Sequence, residues 1–386
     1  MNRTKSPTIS HWLEYLAYRG FERTLRLMSL ETTFKAGEFI GRIFHRLSSS
    51  RRRQVVRNLR FAFGSELSGR EISELTAEVF ERSGANFLSS LRVPFLDNDQ
   101  ILKHLTFEGV EHLLDTNQES GIVLVSPHMG NWELLAQAVF LTKGKIGVGT
   151  HYRPLNNSLI NAVVERRRKK RGLKLFAKRT STHQLTAYVR DGNALGILAD
   201  QRVGSRGAAC AFFGRPTTCS ALPHLIAKRG KAKLFSLSCE TVGSCQWKIS
   251  FRAIPEASAQ ACADSLEANW RHSPADVFWF EDRWRIRGKD SLEFLKKYKD
   301  PNPVTRPLRA VFLADSTNDL PYPDSLITKE FFPIDFLESD KSLQEQLRKI
   351  GESGISPVDV FFCPDSQLKR MKKLTGKILV LSSEES

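Results

Sequence analysis

The segment Ser126-Pro-His-Met-Gly-Asn-Trp-Glu133 places an imidazole and a carboxylate five positions apart with a glycine between them. A neutral imidazole, with an ordinary pKa of about 6.5, can take a proton from an attacking hydroxyl, while a carboxylate on its other nitrogen fixes the tautomer and stabilises the imidazolium. General-base help of this kind contributes roughly 10²–10⁴ in rate. Residues five apart on one helix point about 140° apart, so His128 and Glu133 meet only if His128 precedes the helix and the chain turns between them. Gly130 permits that turn. The turn also offers backbone N–H groups at a helix N-terminus to an oxyanion or a phosphate. A histidine and a glutamate on an uninvolved surface loop would have the same spacing.

Other candidates lie downstream. Asp200 and Gln201 end the apolar stretch Asn193 to Ala199, at the rim where α/β proteins bind substrates. A strand-ending Asp also serves as a turn former. In the helical pattern Ser158 to Arg171, Ile160, Val163, Val164, Arg167 and Arg171 share one face, which turns Arg167 inward and leaves Arg166, Lys169 and Lys170 outside. Arg167 then faces an anionic ligand, unless the whole run is a solvated basic face. Phe212, Phe213 and Gly214 stand outside any periodic segment, where adjacent aromatics either wall an apolar ligand tunnel or pack in a core. Phe278, Trp279, Phe280 and Trp284 read as core or interface, with Arg283 an anion contact. No P-loop, no G-x-G-x-x-G after a strand and no metal-ligand spacing occurs, so neither a nucleotide cofactor nor a metal is expected.

The elements that must carry these groups follow from periodicity. Gly121 to Ser126 is a short apolar, β-branched run of the kind buried in parallel sheets, and Asn131 to Leu141 reads as a helix with Asn131 as its N-cap. Strands at Lys145 to Gly149, Leu173 to Ala177, Asn193 to Ala199, Lys233 to Cys239 and Gln246 to Ile254 alternate with helices near Ser158 to Arg171, His183 to Arg190, Leu222 to Arg229 and Ser258 to Trp270. The predicted class is α/β, a mostly parallel sheet flanked by helices, with a helical N-terminal region and a small α/β C-terminal extension.

With 386 residues, 41% of them hydrophobic, the chain can bury a large core. The net charge of +16 directs it towards polyanions. The run Arg166 to Arg171 carries no interleaved aromatics, so nucleic acid is not expected as the partner. Residues 1–60 mix apolar side chains (Trp12, Leu13, Leu16, Phe39, Ile43) with arginines, and such helices either lie on an anionic membrane surface or pack on a core with a basic outer face. No run is long and apolar enough to span a bilayer. Six cysteines without C-x-x-C spacing suggest neither zinc nor a disulfide framework and fit a reducing cytosol. From Pro301 onward 11 Lys/Arg face 13 Asp/Glu, reversing the sign of the charge. The expected organisation is therefore basic membrane-associating helices over 1–60, a catalytic α/β domain over 61–290, a Lys- and Pro-containing linker over 291–307, and an extension over 308–386. The extension is expected to fold separately, so that a chain cut near Pro301 keeps its activity.

The motif His128-Met-Gly-Asn-Trp-Glu133 resembles the H-x-x-x-x-D/E motif of the glycerolipid acyltransferase superfamily, in the G-N-W-E form of the lipid A biosynthesis lauroyl and myristoyl transferases. Arg53-Gln-Val-Val-Arg-Asn58, Tyr152-Arg-Pro154, Ala199-Asp-Gln201, Phe212-Phe-Gly214 and Phe278-Trp-Phe-Glu-Asp-Arg-Trp284 resemble that family's other blocks, in the family's order, from about residue 12 to about residue 287. The resemblance implies an O-acyltransferase with His128 as base and Glu133 as its partner. Asn131, Arg153, Arg167, Phe212, Phe213 and Gly214 would be substrate-binding, and Asp200 and Gln201 would hold substrate or the histidine loop. It also implies an acyl thioester donor, acyl carrier protein in preference to coenzyme A, and as acceptor a lipid A precursor or another glycolipid. No cofactor is implied, and the protein would sit at the cytoplasmic face of the inner membrane. A non-catalytic basic membrane- or nucleic-acid-binding protein is the reading from a different class.

Overall fold

The computed structural model describes residues 7–111, 120–204, 207–286, 289–298, 304–314, 320–353, 356–376 and 378–383. Its helices are α1 Ile9–Arg26, α2 Leu30–Leu47, α3 Ser49–Phe63, α4 Gly69–Arg92, α5 Asn98–Leu102, α6 Trp132–Gln137, α7 Ser158–Lys169, α8 Thr182–Arg190, α9 Leu222–Gly230, α10 Ala259–His272, α11 Asp340–Glu352 and α12 Leu368–Thr375. Its strands are β1 Leu105–Glu108, β2 Ile122–Ser126, β3 Val148–Tyr152, β4 Lys174–Ala177, β5 Ala194–Leu198, β6 Ala208–Phe212, β7 Arg215–Cys219, β8 Lys233–Gly243, β9 Gln246–Ala253, β10 Leu308–Phe312, β11 Ile327–Phe331, β12 Val360–Cys363 and β13 Leu379–Ser382. The α/β class with a mostly parallel sheet and a helical N-terminal region is as the sequence predicts.

The chain divides into two compact units, each assembled from several segments. The first comprises Met1–Ser49, Ala77–Asp200 and Leu222–Phe278. Its seven-stranded sheet runs β1-β9-β8-β2-β5-β3-β4, and β2, central in it, is buried along its whole length. That burial on both faces is why β2 reads as an unbroken apolar run. β2 pairs in parallel with β5 on one side and β8 on the other, and only β8 with β9 is antiparallel. β3 begins at Val148, later than Lys145: a 3₁₀ turn over Ala138–Thr142 ends in left-handed Lys143 and Gly144, which delays the strand.

α2 packs on α4 through Gly37, Gly41 and Gly84, and a Cβ at Gly41 would collide with the Phe80 carbonyl. Its Leu30 and Phe34 enter the core, while its later large apolar side chains stay exposed. Phe39 is 58% and Leu47 79% exposed, and on α1 Ile9 is 81% and Leu13 64% exposed. No described helix is long and apolar enough to cross a membrane.

The second unit comprises Ser50–Thr76, Gln201–Ala221 and Trp279–Ser386. A four-stranded parallel sheet, ordered β11-β10-β12-β13, is joined by the hairpin β6–β7. The expected linker is instead part of this core: Lys289–Lys297 is a 3₁₀ helix whose Leu292, Phe294 and Leu295 pack with Leu308, Phe312 and Val360. Its lysines and prolines read as a spacer, but the apolar residues between them bury. Nor do residues 1–60 form one membrane-associating segment, since Val55 and Leu59 of α3 are fully buried and Asn58 Nδ2 donates to the Trp279 carbonyl at 2.8 Å. The extension 308–386 is likewise not separate. Asp359, just before β12, forms a fully buried ion pair with Arg215 of β7 at 2.5 Å and accepts from the Arg309 backbone N–H at 2.8 Å.

Candidate active site

β2 and β5 are adjacent and parallel, with Ser126 opposite Leu198. Two residues beyond these ends come His128 and Asp200, so the register itself sets the imidazole beside the carboxylate. His128 Nδ1 lies 2.7 Å from Asp200 Oδ1, and the His128 backbone N–H donates to Oδ2 at 2.8 Å. One buried carboxylate thus holds both the ring and the main chain of the histidine. Burial by itself would push the Asp200 carboxyl up, but the His128 charge and the hydrogen bonds from His128 outweigh it and hold Asp200 below the usual carboxylate range. An ionised Asp200 accepts, so Nδ1 carries the proton and Nε2 is the basic nitrogen.

The loop is braced from the other side. Gly130 has φ +55°, and a Cβ there would strike the Cys239 carbonyl. The Gly130 N–H donates to the Asp276 carbonyl at 2.8 Å and the Phe278 N–H to the His128 carbonyl at 2.9 Å, a short bridge centred on Met129 and Val277. Trp132 meets the imidazole edge-on at 5.5 Å between ring centres and Phe278 at 5.6 Å. Phe278, expected as core or interface, therefore braces the histidine loop.

The carboxylate on His128 Nδ1 is that of Asp200. α6 carries Glu133 to α7, where its carboxylate receives the Arg168 guanidinium through two N–H groups, Nε to Oε2 at 3.0 Å. Burial works against the Arg168 charge, but Glu133 overcomes it and the Arg168 pKa lies above its usual value. The i+4 spacing of Ile160, Val164 and Arg168 on one helical face was the available signal for this arginine.

This ion pair borders an apolar cavity of about 290 Å³ whose wall includes Gly130, Asn131, Phe87, Leu91, Ile160 and Val164. Asn131 occupies the N-cap position of α6, yet its side chain makes no cap hydrogen bond. Arg167 reaches the same cavity, as its face predicts, but is engaged by α1: its guanidinium pairs with buried Glu22 and donates to the Tyr18 hydroxyl at 2.7 Å.

Arg153, directly after β3, and Gln201, early in the loop after β5, are exposed. Phe212 and Phe213 do not wall this cavity. They are fully buried in the second unit, where Phe213 packs on Phe63 and Trp284, and Gly214 completes the left-handed turn of the β6–β7 hairpin. Arg283 is buried there too, donating to Thr217 Oγ1 at 2.9 Å. Among the described residues Glu31, His104 and Cys245 bring metal-capable atoms within 4.8 Å of one another, a group that includes neither His128 nor Asp200. Burial, with help from Glu31, pushes the Cys245 thiol up to about 12.

Residues 2–286 match the profile of the bacterial lipid A biosynthesis acyltransferases, so the protein is an acyltransferase. The chain belongs to that family. It is 25% identical over 252 residues to a phosphatidylinositol mannoside acyltransferase of Mycolicibacterium smegmatis, covering 60% of this chain and 79% of the relative. It is 24% identical over 267 residues to a lipid A biosynthesis acyltransferase of Haemophilus influenzae, covering 66% and 81%. To a lipid A biosynthesis palmitoleoyltransferase of Escherichia coli it is 27% identical over 165 residues, covering 42% and 52%.

Proposed function

We propose that the protein moves a fatty acyl group from a thioester, carried on acyl carrier protein, to a hydroxyl of a lipid A precursor at the cytoplasmic face of the inner membrane. The observation that carries this reading is the clamp of His128 by Asp200 in the same loop that lines an apolar cavity. His128 Nε2 takes the hydroxyl proton as the oxygen attacks the thioester carbon, and Asp200 stabilises the imidazolium. Glu133 shapes the cavity wall through Arg168 and is not the partner of the base. Apolar side chains exposed on α1 and α2, with arginines between them, suit an anionic bilayer that supplies the acceptor. The likeness to the mannoside acyltransferase favours a second acceptor class, a phosphorylated glycolipid other than lipid A.

Kinetics of His128→Ala, Asp200→Asn and Glu133→Gln with acyl carrier protein thioester and lipid A precursor test the assignment. The first two should each lose about 10²–10⁴ in kcat, and Glu133→Gln should act mainly on KM for the acyl donor. A large kcat loss in Glu133→Gln with near-normal Asp200→Asn would return Glu133 to the role of partner.

A further inference from the structure

Glu31, His104 and Cys245 stand far apart in the chain, so no ligand spacing marks them in the sequence. All three nonetheless lie in the first unit and bring one donor atom each to within 4.8 Å of the others. Glu31 sits in the first turn of α2, with a side chain 56% exposed. His104 directly precedes β1, and its ring is fixed on several sides. Nδ1 lies 2.9 Å from the Cys245 carbonyl oxygen, Trp247 meets the ring edge-on at 6.4 Å, and the Trp247 N–H donates to the His104 carbonyl at 2.9 Å. A carbonyl accepts, so Nδ1 carries the proton, while Nε2 keeps its lone pair and lies 3.7 Å from Glu31 Oε1. An imidazole that binds a metal is ordinarily held in this way through its other nitrogen.

Cys245 is the least ordinary of the three. It lies in the turn between β8 and β9 with φ +60°, where a hairpin favours glycine or asparagine. Residues at such turns are normally exposed, yet Cys245 is 1% exposed and its sulfur is gathered with the His104 and Glu31 donors. Thiolate, imidazole and carboxylate together suit zinc and related thiophilic divalent ions, whereas magnesium and calcium take oxygen donors. We propose that Glu31, His104 and Cys245 bind one such cation through a Glu31 carboxylate oxygen, His104 Nε2 and Cys245 Sγ, with water in the fourth position on the exposed side of Glu31. Tetrahedral zinc, with bonds of about 2.0–2.3 Å, sets its donors roughly 3.3–3.8 Å apart. The ion therefore draws the group together, a movement open to the exposed Glu31 side chain. The Cys245 thiol releases its proton to solvent as the sulfur becomes a ligand. Once bound, the ion ties the start of α2 to the residue before β1 and to the β8–β9 hairpin, and it stabilises the fold by binding only the folded chain. Neither His128 nor Asp200 takes part, so this site stands or falls apart from the acyl transfer reading.

The test uses the full chain, stripped with a chelator and titrated with zinc alone, beside cobalt(II) as a spectroscopic probe and thermal unfolding. Wild type should bind one equivalent of zinc, melt higher with it, and show a thiolate-to-cobalt charge-transfer band in the near ultraviolet. Cys245→Ser should lose that band. Glu31→Gln and His104→Gln should each lose about 10–100-fold in zinc affinity. Glu31→Gln changes an exposed side chain and should melt like wild type without metal, which separates lost binding from lost folding. Absence of stoichiometric binding in wild type overturns the inference. A charge-transfer band that persists in Cys245→Ser, or zinc affinity unchanged in both Glu31→Gln and His104→Gln, also overturns it, by placing the ion on other side chains.

Discussion

At the residue scale Asp200 meets His128 Nδ1 while Glu133 meets Arg168, and the reason is direction. Glu133 sits in the first turn of α6 and is drawn to Arg168, whereas Asp200 extends from the strand beside the one that delivers His128. The clamp also sets a pH dependence. The folded Asp200 pKa lies below the unfolded value of about 3.9, so between the two the unfolded chain binds more protons. The contribution to stability is therefore full above the unfolded value and is lost as pH falls through the folded one. Urea midpoints of wild type and Asp200→Asn should differ near neutral pH and converge below about pH 4. A gap that stays constant into acid would mean that Asp200 contributes nothing through its charge.

Among the elements, α1 and α2 expose apolar faces for different reasons. α2 spends its small-residue face on α4, while α1 is tied down by polar contacts: Asn157 Nδ2 donates to the His11 carbonyl and to Glu14 Oε2, both at 2.9 Å, and Arg167 holds Tyr18 and Glu22. Apart from Leu25 of α1 and Leu30 and Phe34 of α2, which are buried, the leucines, isoleucines and phenylalanines of these two helices are exposed. Each face is then available to lipid, with arginines at the headgroup level adding about 1 kcal/mol apiece on an anionic bilayer. Leu13→Gln with Leu16→Gln on α1, and Phe39→Gln with Ile43→Gln on α2, should weaken sedimentation with anionic vesicles several-fold and leave the unfolding midpoint nearly unchanged. Binding equal to wild type by both double variants would assign these faces to something other than lipid.

The whole molecule is cut differently from the sequence, because its second unit gathers residues 50–76, the β6–β7 hairpin and everything after Trp279 around shared cores. A chain ending near Pro301 would lose Asp359 and leave Arg215 as a buried, uncompensated charge, a change of about 3–5 kcal/mol, and would open the core that Leu292 and Phe294 share with β10 and β12. Such a truncation should be aggregated or partly unfolded by circular dichroism and gel filtration; a monodisperse, active product would restore the independent extension. What the residues determine unaided is local: β2 as a buried run, Gly130 as the turn before α6, the helical faces of α2 and α7, and the motif that marks the family. Periodicity and turn chemistry act over a few residues, so they survive in a linear reading. Which carboxylate meets His128, which arginine meets Glu133, where Phe212 and Phe213 lie, and whether residues 289–297 bury were decided only by pairing across the chain. His128 and Asp200 are 72 positions apart and Arg215 and Asp359 are 144 apart, and strand register and core closure, which no local pattern encodes, bring each pair together.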